Sequence, residues 1–170
     1  SWIIPNTITQ SCKVRITDTA NEAIFDLSDT TFSITTIFEE VSSVSLPGLS
    51  HSAIAWGDYD NDGDMDALIT GGAASNISRI YRNNGDETFY QMSSIQLDGI
   101  ASGSVDWGDF NSDGFIDILL SGFNSTNTGW LTKVYKNIGG NTFDVVAQSQ
   151  IQNCHNGSTR WGDFDGDGDL

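Results

Sequence analysis

The stretch Trp56-Gly57-Asp58-Tyr59-Asp60-Asn61-Asp62-Gly63-Asp64-Met65-Asp66 decides the fold, because the chain repeats it. A second copy reads Trp107-Gly108-Asp109-Phe110-Asn111-Ser112-Asp113-Gly114-Phe115-Ile116-Asp117. A third reads Trp161-Gly162-Asp163-Phe164-Asp165-Gly166-Asp167-Gly168-Asp169-Leu170. The tryptophans stand 51 and then 54 residues apart, and Phe38, Phe89 and Phe143 keep the same two intervals. Ile80-Tyr81-Arg82-Asn83 is echoed by Val134-Tyr135-Lys136-Asn137. Self-similarity at a period of roughly 50 residues marks a repeat architecture.

The same windows explain the charge. The 170 residues carry 23 acidic and 7 basic side chains, a formal net charge of −16. Twelve of the acidic residues lie in the three windows; the other 11 against 7 basic residues leave −4, ordinary for a soluble domain. The acidity belongs to three sites. It argues against nucleic acid and against an anionic membrane surface, since both would repel the chain. No apolar run approaches the roughly 18 residues of a membrane helix. Two cysteines, Cys12 and Cys154, do not make a disulfide scaffold.

Around each window the pattern reads as short strands. In the first repeat these are Ser52–Trp56, Met65–Thr70 ended by Gly71-Gly72, Arg79–Arg82 ended by Asn83-Asn84-Gly85-Asp86, and Phe89–Ile95. The second repeat offers Ser104–Trp107, Ile116–Ser121, Leu131–Lys136 and Phe143–Gln148. No stretch sustains apolar spacing at three and four residues, so little helix is expected. The apolar run Ile116, Ile118, Leu119, Leu120 predicts a strand covered on both faces. Four short strands per unit, with buried faces that need stacked neighbours, predict an all-β fold with propeller blades. The expected organisation is a partial β-propeller of about two and a half four-stranded blades over residues 37–170, with blades near 38–88, 89–142 and 143–170.

Residues 1–36 lack the repeated window. Trp2–Ile4, Cys12–Ile16 and Thr31–Ile34 read as strands, with turns at Asp18–Asn21 and Asp26–Asp29. Through Pro5 and Cys12-Lys13-Val14-Arg15-Ile16-Thr17-Asp18 this part resembles the last strands of an Ig-like sandwich of the kind strung along secreted bacterial proteins. The chain is read as a segment of a longer protein.

Within each window the spacing is that of a cation loop. Counting from Asp58, side-chain oxygens fall at positions 1, 3, 5 and 9: Asp58, Asp60, Asp62 and Asp66, and in the second copy Asp109, Asn111, Asp113 and Asp117. Position 6 is always glycine (Gly63, Gly114, Gly168), where a sharp turn needs a positive φ. Position 7 can add a backbone carbonyl, from Asp64 or Phe115. Six or so hard oxygen ligands suit Ca²⁺ better than Mg²⁺, and no His or Cys is present for zinc or copper. Two carboxylates about 4 Å apart repel by roughly 4 kcal/mol at an effective dielectric near 20, and a divalent ion reverses that. The competing reading is a solvated acidic turn; three copies with one ligand spacing argue against it. An EF-hand is excluded, because position 12 is Ile69 or Leu120 and strands flank the loop.

The Trp-Gly-Asp-[Tyr/Phe]-[Asp/Asn]-x-Asp-Gly window is similar to the FG-GAP/VCBS repeats, the calcium-loop blades also found in integrin α-subunits. The resemblance covers roughly residues 38–170. It implies a propeller, Ca²⁺ in the hairpin between the first two strands of a blade, and a secreted or cell-surface setting. It carries the ligand set onto Asp58, Asp60, Asp62, Asp64 (carbonyl) and Asp66, and onto Asp109, Asn111, Asp113, Phe115 (carbonyl) and Asp117. In the third loop it falls on Asp163, Asp165, Asp167 and Asp169 (carbonyl).

Trp56, Trp107 and Trp161 are expected in the core, and Tyr59, Phe110 and Phe164, at loop position 2, between blades. His51 and His155 do not match in the repeat. With the carboxylates assigned to metal, no acid pair, Ser-His arrangement or Gly-rich phosphate loop remains, so a non-enzymatic role is expected. The expected role is calcium-stabilised adhesion to an extracellular protein or glycan. The alternative is a non-catalytic accessory region of a secreted hydrolase or lyase.

Overall fold

The computed structural model describes residues 9–12, 15–17, 25–27, 32–34, 44–126, 129–146, 151–153, 156–168 and 170. The chain divides into two compact units, Ser1–Val41 and Ser42–Leu170. All the regular elements among the described residues are strands.

In the first unit, β1 (Thr9–Cys12) pairs antiparallel with β4 (Phe32–Ile34), and β2 (Arg15–Thr17) with β3 (Phe25–Leu27). Two expectations are corrected here. The single strand expected over Cys12–Ile16 is two, because Cys12 closes β1 opposite Phe32 while Ile16 pairs with Asp26 in the other sheet. Asp26 and Leu27, expected in a turn, lie in a strand: Phe25-Asp26-Leu27 alternates apolar and polar residues, the period of a strand, and that period outweighs the aspartate as a turn former. Trp2–Ile4 and Asp18–Asn21 lie outside the described residues.

The second unit holds two four-stranded antiparallel sheets of the same topology. One has the order β5 (Ser50–Gly57), β6 (Asp66–Gly72), β7 (Asn76–Asn83), β8 (Phe89–Gln91). The other has β9 (Ala101–Gly108), β10 (Asp117–Asn124), β11 (Gly129–Asn137), β12 (Phe143–Val145). The second strand of each is covered on both faces, as the continuous apolar run requires. Asp66–Gly71 and Asp117–Gly122 are buried along their length. The shared core joins Tyr59, Leu68 and Ile80 of one sheet to Val105, Ile118, Leu120 and Tyr135 of the other, with Ile100 from the link between them. That link is fixed by polar contacts. Ser78 Oγ donates to the Asp98 carbonyl (2.7 Å), Tyr135 Oη donates to Asp98 Oδ2 (2.6 Å), and Lys133 forms an ion pair with the same carboxylate.

Strand ends differ from the expectation for identifiable reasons. Gly71-Gly72 does not stop β6 at Thr70; both glycines are its last residues, paired with Ile77 and Asn76. A Cβ on Gly71 would sit 3.0 Å from the side chains of Leu49 and Ser52, so this glycine permits close approach inside a strand. The strand expected over Phe89–Ile95 stops at Gln91, after which the Ile95 amide turns back onto the Met92 carbonyl (3.2 Å). The strand expected over Phe143–Gln148 stops at Val145.

The sheets stack through one repeated contact. Trp107 lies parallel to Tyr59 (centroids 6.2 Å apart, 14° between planes), and Trp161 to Phe110 (5.6 Å, 5°). Each tryptophan covers the glycine beside the preceding repeat's tryptophan. A Cβ on Gly57 would lie 2.5 Å from Ile116 Cδ1 and 2.9 Å from Trp107; one on Gly108 would lie 2.6 Å from Trp161 and 2.8 Å from Leu170. Two expected burials fail where this neighbour is missing: Trp56 is 51% exposed and Phe164 96%. The motif buries an aromatic only between two repeats. The stacking predicts that Gly57→Ala lowers stability by about 1–3 kcal/mol through overpacking. Gly162→Ala, with no atom within 4 Å, is expected to change it by less than about 0.5 kcal/mol. Urea midpoints of the two variants check this; equal losses would contradict it.

Candidate metal centres

The first two acidic loops each close the hairpin between the first two strands of their sheet. Pairing of Gly57 with Asp66, and of Gly108 with Asp117, brings the two ends of the loop together. The turn is made by left-handed residues at positions 4 and 6. Asn61 and Gly63 have φ of 60° and 96°, Ser112 and Gly114 55° and 88°, Gly166 and Gly168 78° and 100°. Position 1 holds the turn from inside: Asp58 accepts the amides of Asp62 (3.0 Å) and Gly63 (2.9 Å), and Asp109 those of Asp113 (3.0 Å) and Gly114 (2.7 Å). Asp163 does the same for Gly166, Asp167 and Gly168.

Position 9 anchors the loop to the sheet. Asp66 is fully buried; its two oxygens accept the amides of Tyr59 (3.1 Å) and Asn83 (2.8 Å). Asp117, also fully buried, accepts those of Phe110 (3.2 Å) and Asn137 (2.7 Å). Asn83 and Asn137 are the residues the sequence reading did not assign. Besides their amides, their side chains accept from Gly85 and Gly139 and donate to the carbonyls of Met65 and Ile116. The echo of Tyr-[Arg/Lys]-Asn at the repeat interval was the available signal.

In the first loop Asp58, Asp60 and Asp66 converge, each offering an oxygen within 4.8 Å of the others. Asp62 is exposed, with Oδ1 taken by the Asp64 amide (3.0 Å), and the Asp64 carboxylate lies over Gly85. In the third loop Asp163, Asp165 and Asp167 converge at the surface; Asp169 lies outside the described residues. The second loop holds Asn111 at position 3, where Asn111 Nδ2 donates to Asp117 (3.3 Å), and Lys136 pairs with Asp113 (3.2 Å). The Phe115 amide donates to Asp113 Oδ1.

The electrostatics follow. Burial raises the Asp66 carboxyl to about 6, against the two amide hydrogen bonds that lower it. Burial, then the charge of Asp62, raises Asp60. Burial also raises Asp117. The Phe115 amide, then Lys136, holds Asp113 below the usual range, and backbone amides do so for Asp163. Three carboxylates at about 4.8 Å repel by roughly 3 kcal/mol per pair at an effective dielectric near 20. One oxygen marks where the compensating charge belongs. Asp60 Oδ1 is buried without a hydrogen-bond partner, and so is Asn111 Oδ1 at the same position of the second loop. An orphaned buried acceptor beside two carboxylates fits a hard cation. These clusters could bind a metal ion.

A β-repeat protein with one acidic hairpin per four-stranded sheet is the class so defined. The chain belongs to the FG-GAP-like repeat family, whose model matches residues 58–120 and again 109–170. The family implies a propeller-like arrangement and is typical of extracellular proteins. No curated protein and no solved structure matches the chain significantly. No helix among the described residues is long and apolar enough to cross a membrane.

The raised carboxyls set a pH dependence for the metal-free protein. Asp66 is protonated more readily folded than unfolded, so its contribution to stability is present below the unfolded value of about 4 and is lost as pH rises through about 6. Asp60 and Asp117 act in the same direction. With chelator present, urea unfolding should show stability falling across this window, by about 3 kcal/mol at most from Asp66. A flat or rising profile there would contradict the assignment.

Proposed function

We propose that this chain is a calcium-binding, extracellular β-propeller repeat module that binds a protein or glycan ligand, with the ion in a structural role and no catalysis of its own. The observation that carries the reading is the orphaned Asp60 Oδ1 beside Asp58 and Asp66. The donor set is all oxygen, which favours Ca²⁺, and millimolar extracellular calcium suits sites of modest affinity. The proposed ligands are Asp58, Asp60, Asp62, Asp66 and the Asp64 carbonyl in the first loop. In the second they are Asp109, Asn111, Asp113, Asp117 and the Phe115 carbonyl, and in the third Asp163, Asp165, Asp167 and the Asp169 carbonyl. The ion neutralises the loop so that the hairpin holds its shape, and the shaped hairpin carries the aromatic that stacks under the next repeat. Calcium therefore supports the module's stacking, and the loops of a stacked module are its binding surface.

Calorimetry with CaCl₂ tests this. Asp60→Ala should remove one site from the stoichiometry. It should also abolish part of the calcium-dependent rise in melting temperature, while the metal-free protein melts no lower than the unsubstituted one. The second expectation follows because the substitution removes a carboxylate that Asp62 and Asp58 repel and whose Oδ1 has no donor. Unchanged calcium stoichiometry in this variant would refute the site.

A further inference from the structure

We propose that a cleft between the two four-stranded sheets binds one uncharged sugar residue of a glycan. The inference deepens the proposed function and rests on the glycan half of it; it does not require an ion in either loop. The cleft has a volume of about 480 Å³. Its walls are residues 94–96, in the link from β8 to β9, and residues 140–143, which lead from the turn after β11 into β12. That volume falls within the roughly 300–1,000 Å³ of small-ligand sites. The floor is apolar and held in place. Ile95 and Phe143 are half-buried and pack against the shared core, and the Phe143 ring lies against those of Tyr59 (6.1 Å) and Trp107 (6.3 Å).

Two amides stand on the opposite walls, each with one end committed. Gln96 Nε2 donates to the Ser93 carbonyl (2.8 Å), which leaves Oε1 as an acceptor. Asn141 Oδ1 accepts from the Tyr59 hydroxyl (2.6 Å), which leaves Nδ2 as a donor. Neither remaining end has a hydrogen-bond partner among the described residues. A hydroxyl both donates and accepts, so it answers both ends. The C–H face of a sugar ring answers the apolar floor. The Asn141 amide is also set in advance: its backbone is left-handed (φ 61°), and Tyr59, which orients it, is buried. The repeat does not require this bond. Phe110, without a hydroxyl, stands at the place of Tyr59 in the next repeat, and Glu87 at the place of Asn141 in the preceding one. Charge then selects among ligands. No residue of the walls is ionisable, so an ion would lose water there without a counter-charge. The net charge of −16 repels anions in particular.

Heteronuclear NMR titration of the whole chain tests this. The probes are the methyl glycosides of glucose, galactose and mannose, and N-acetylglucosamine, with glucuronate as the charged control. At least one uncharged sugar should move the backbone amide signals of Gln96, Asn141 and Thr142, with a dissociation constant of roughly 1–10 mM. Glucuronate should bind at least about tenfold more weakly than the best of them. Gln96→Ala, at an exposed position, should weaken binding about tenfold. Asn141→Gly, which keeps the left-handed turn, should weaken it at least as much. Because Asn141→Gly also deprives the Tyr59 hydroxyl of its acceptor, Gln96→Ala decides the matter if that variant misfolds. Three outcomes overturn the proposal: none of the uncharged sugars moves those signals; a sugar binds Gln96→Ala as tightly as the parent; or glucuronate binds as well as the uncharged sugars. A sugar that moves only amides elsewhere overturns this site and leaves the glycan reading standing. Calcium stoichiometry by calorimetry is independent of every one of these results.

Discussion

One buried carboxylate in each sheet holds the repeat together. Asp66 and Asp117 sit at the first residue of the second strand and bind amides from two other segments: the loop before them and the end of the third strand. A buried charge is tolerated only when hydrogen bonds or an opposite charge compensate it. Here two amides offset part of the cost, and burial still leaves the Asp66 carboxyl raised to about 6. The loop is therefore built as an arrangement that lacks positive charge, and its position 3 oxygen is left without a donor in both described sheets that carry it. Sheet geometry and the electrostatics of the acidic loop meet in a single residue.

The second constraint is that a sheet covered on both faces must have neighbours. The Trp-Gly-Asp-aromatic order meets it economically. The tryptophan reaches back over the preceding glycine, and the loop aromatic reaches forward under the next tryptophan. Loop and interface are thus parts of one device, since distortion of the acidic turn moves the aromatic at position 2. The loops touch as well: Asn61 Nδ2 donates to the Gly114 carbonyl (3.0 Å).

Some repetition is visible only in three dimensions. His51, Ser102 and Asn156 occupy the same place in successive repeats, and each has a left-handed backbone, with φ of 49°, 53° and 49°. Around His51 the register between β5 and β6 shifts, and around Ser102 that between β9 and β10. For a residue other than glycine, asparagine or aspartate this conformation costs about 1–2 kcal/mol. Three different side chains at one backbone position leave no residue pattern for a reader to find. The same limit explains the strand ends. Gly71-Gly72 reads as punctuation until Leu49 and Ser52 are seen packed above it, and Asp26 reads as the start of a turn until Ile16 is found opposite it.

The amino-acid order alone determined the period, the all-β class, the doubly buried second strand and the loop's oxygen spacing. These follow from side-chain types at fixed intervals, which repetition makes unambiguous. It could not decide which aromatics are covered, because the partial burial of Trp107 and the exposure of Trp56 depend on whether another repeat lies against the same motif. Nor could it separate the loops, whose spacing is shared. Only the folded chain gathers Asp58, Asp60 and Asp66 in the first loop, while Lys136, brought alongside by β11, pairs with Asp113 in the second. Spacing along a chain fixes what a loop can present; the neighbours that fold against it decide what those groups face.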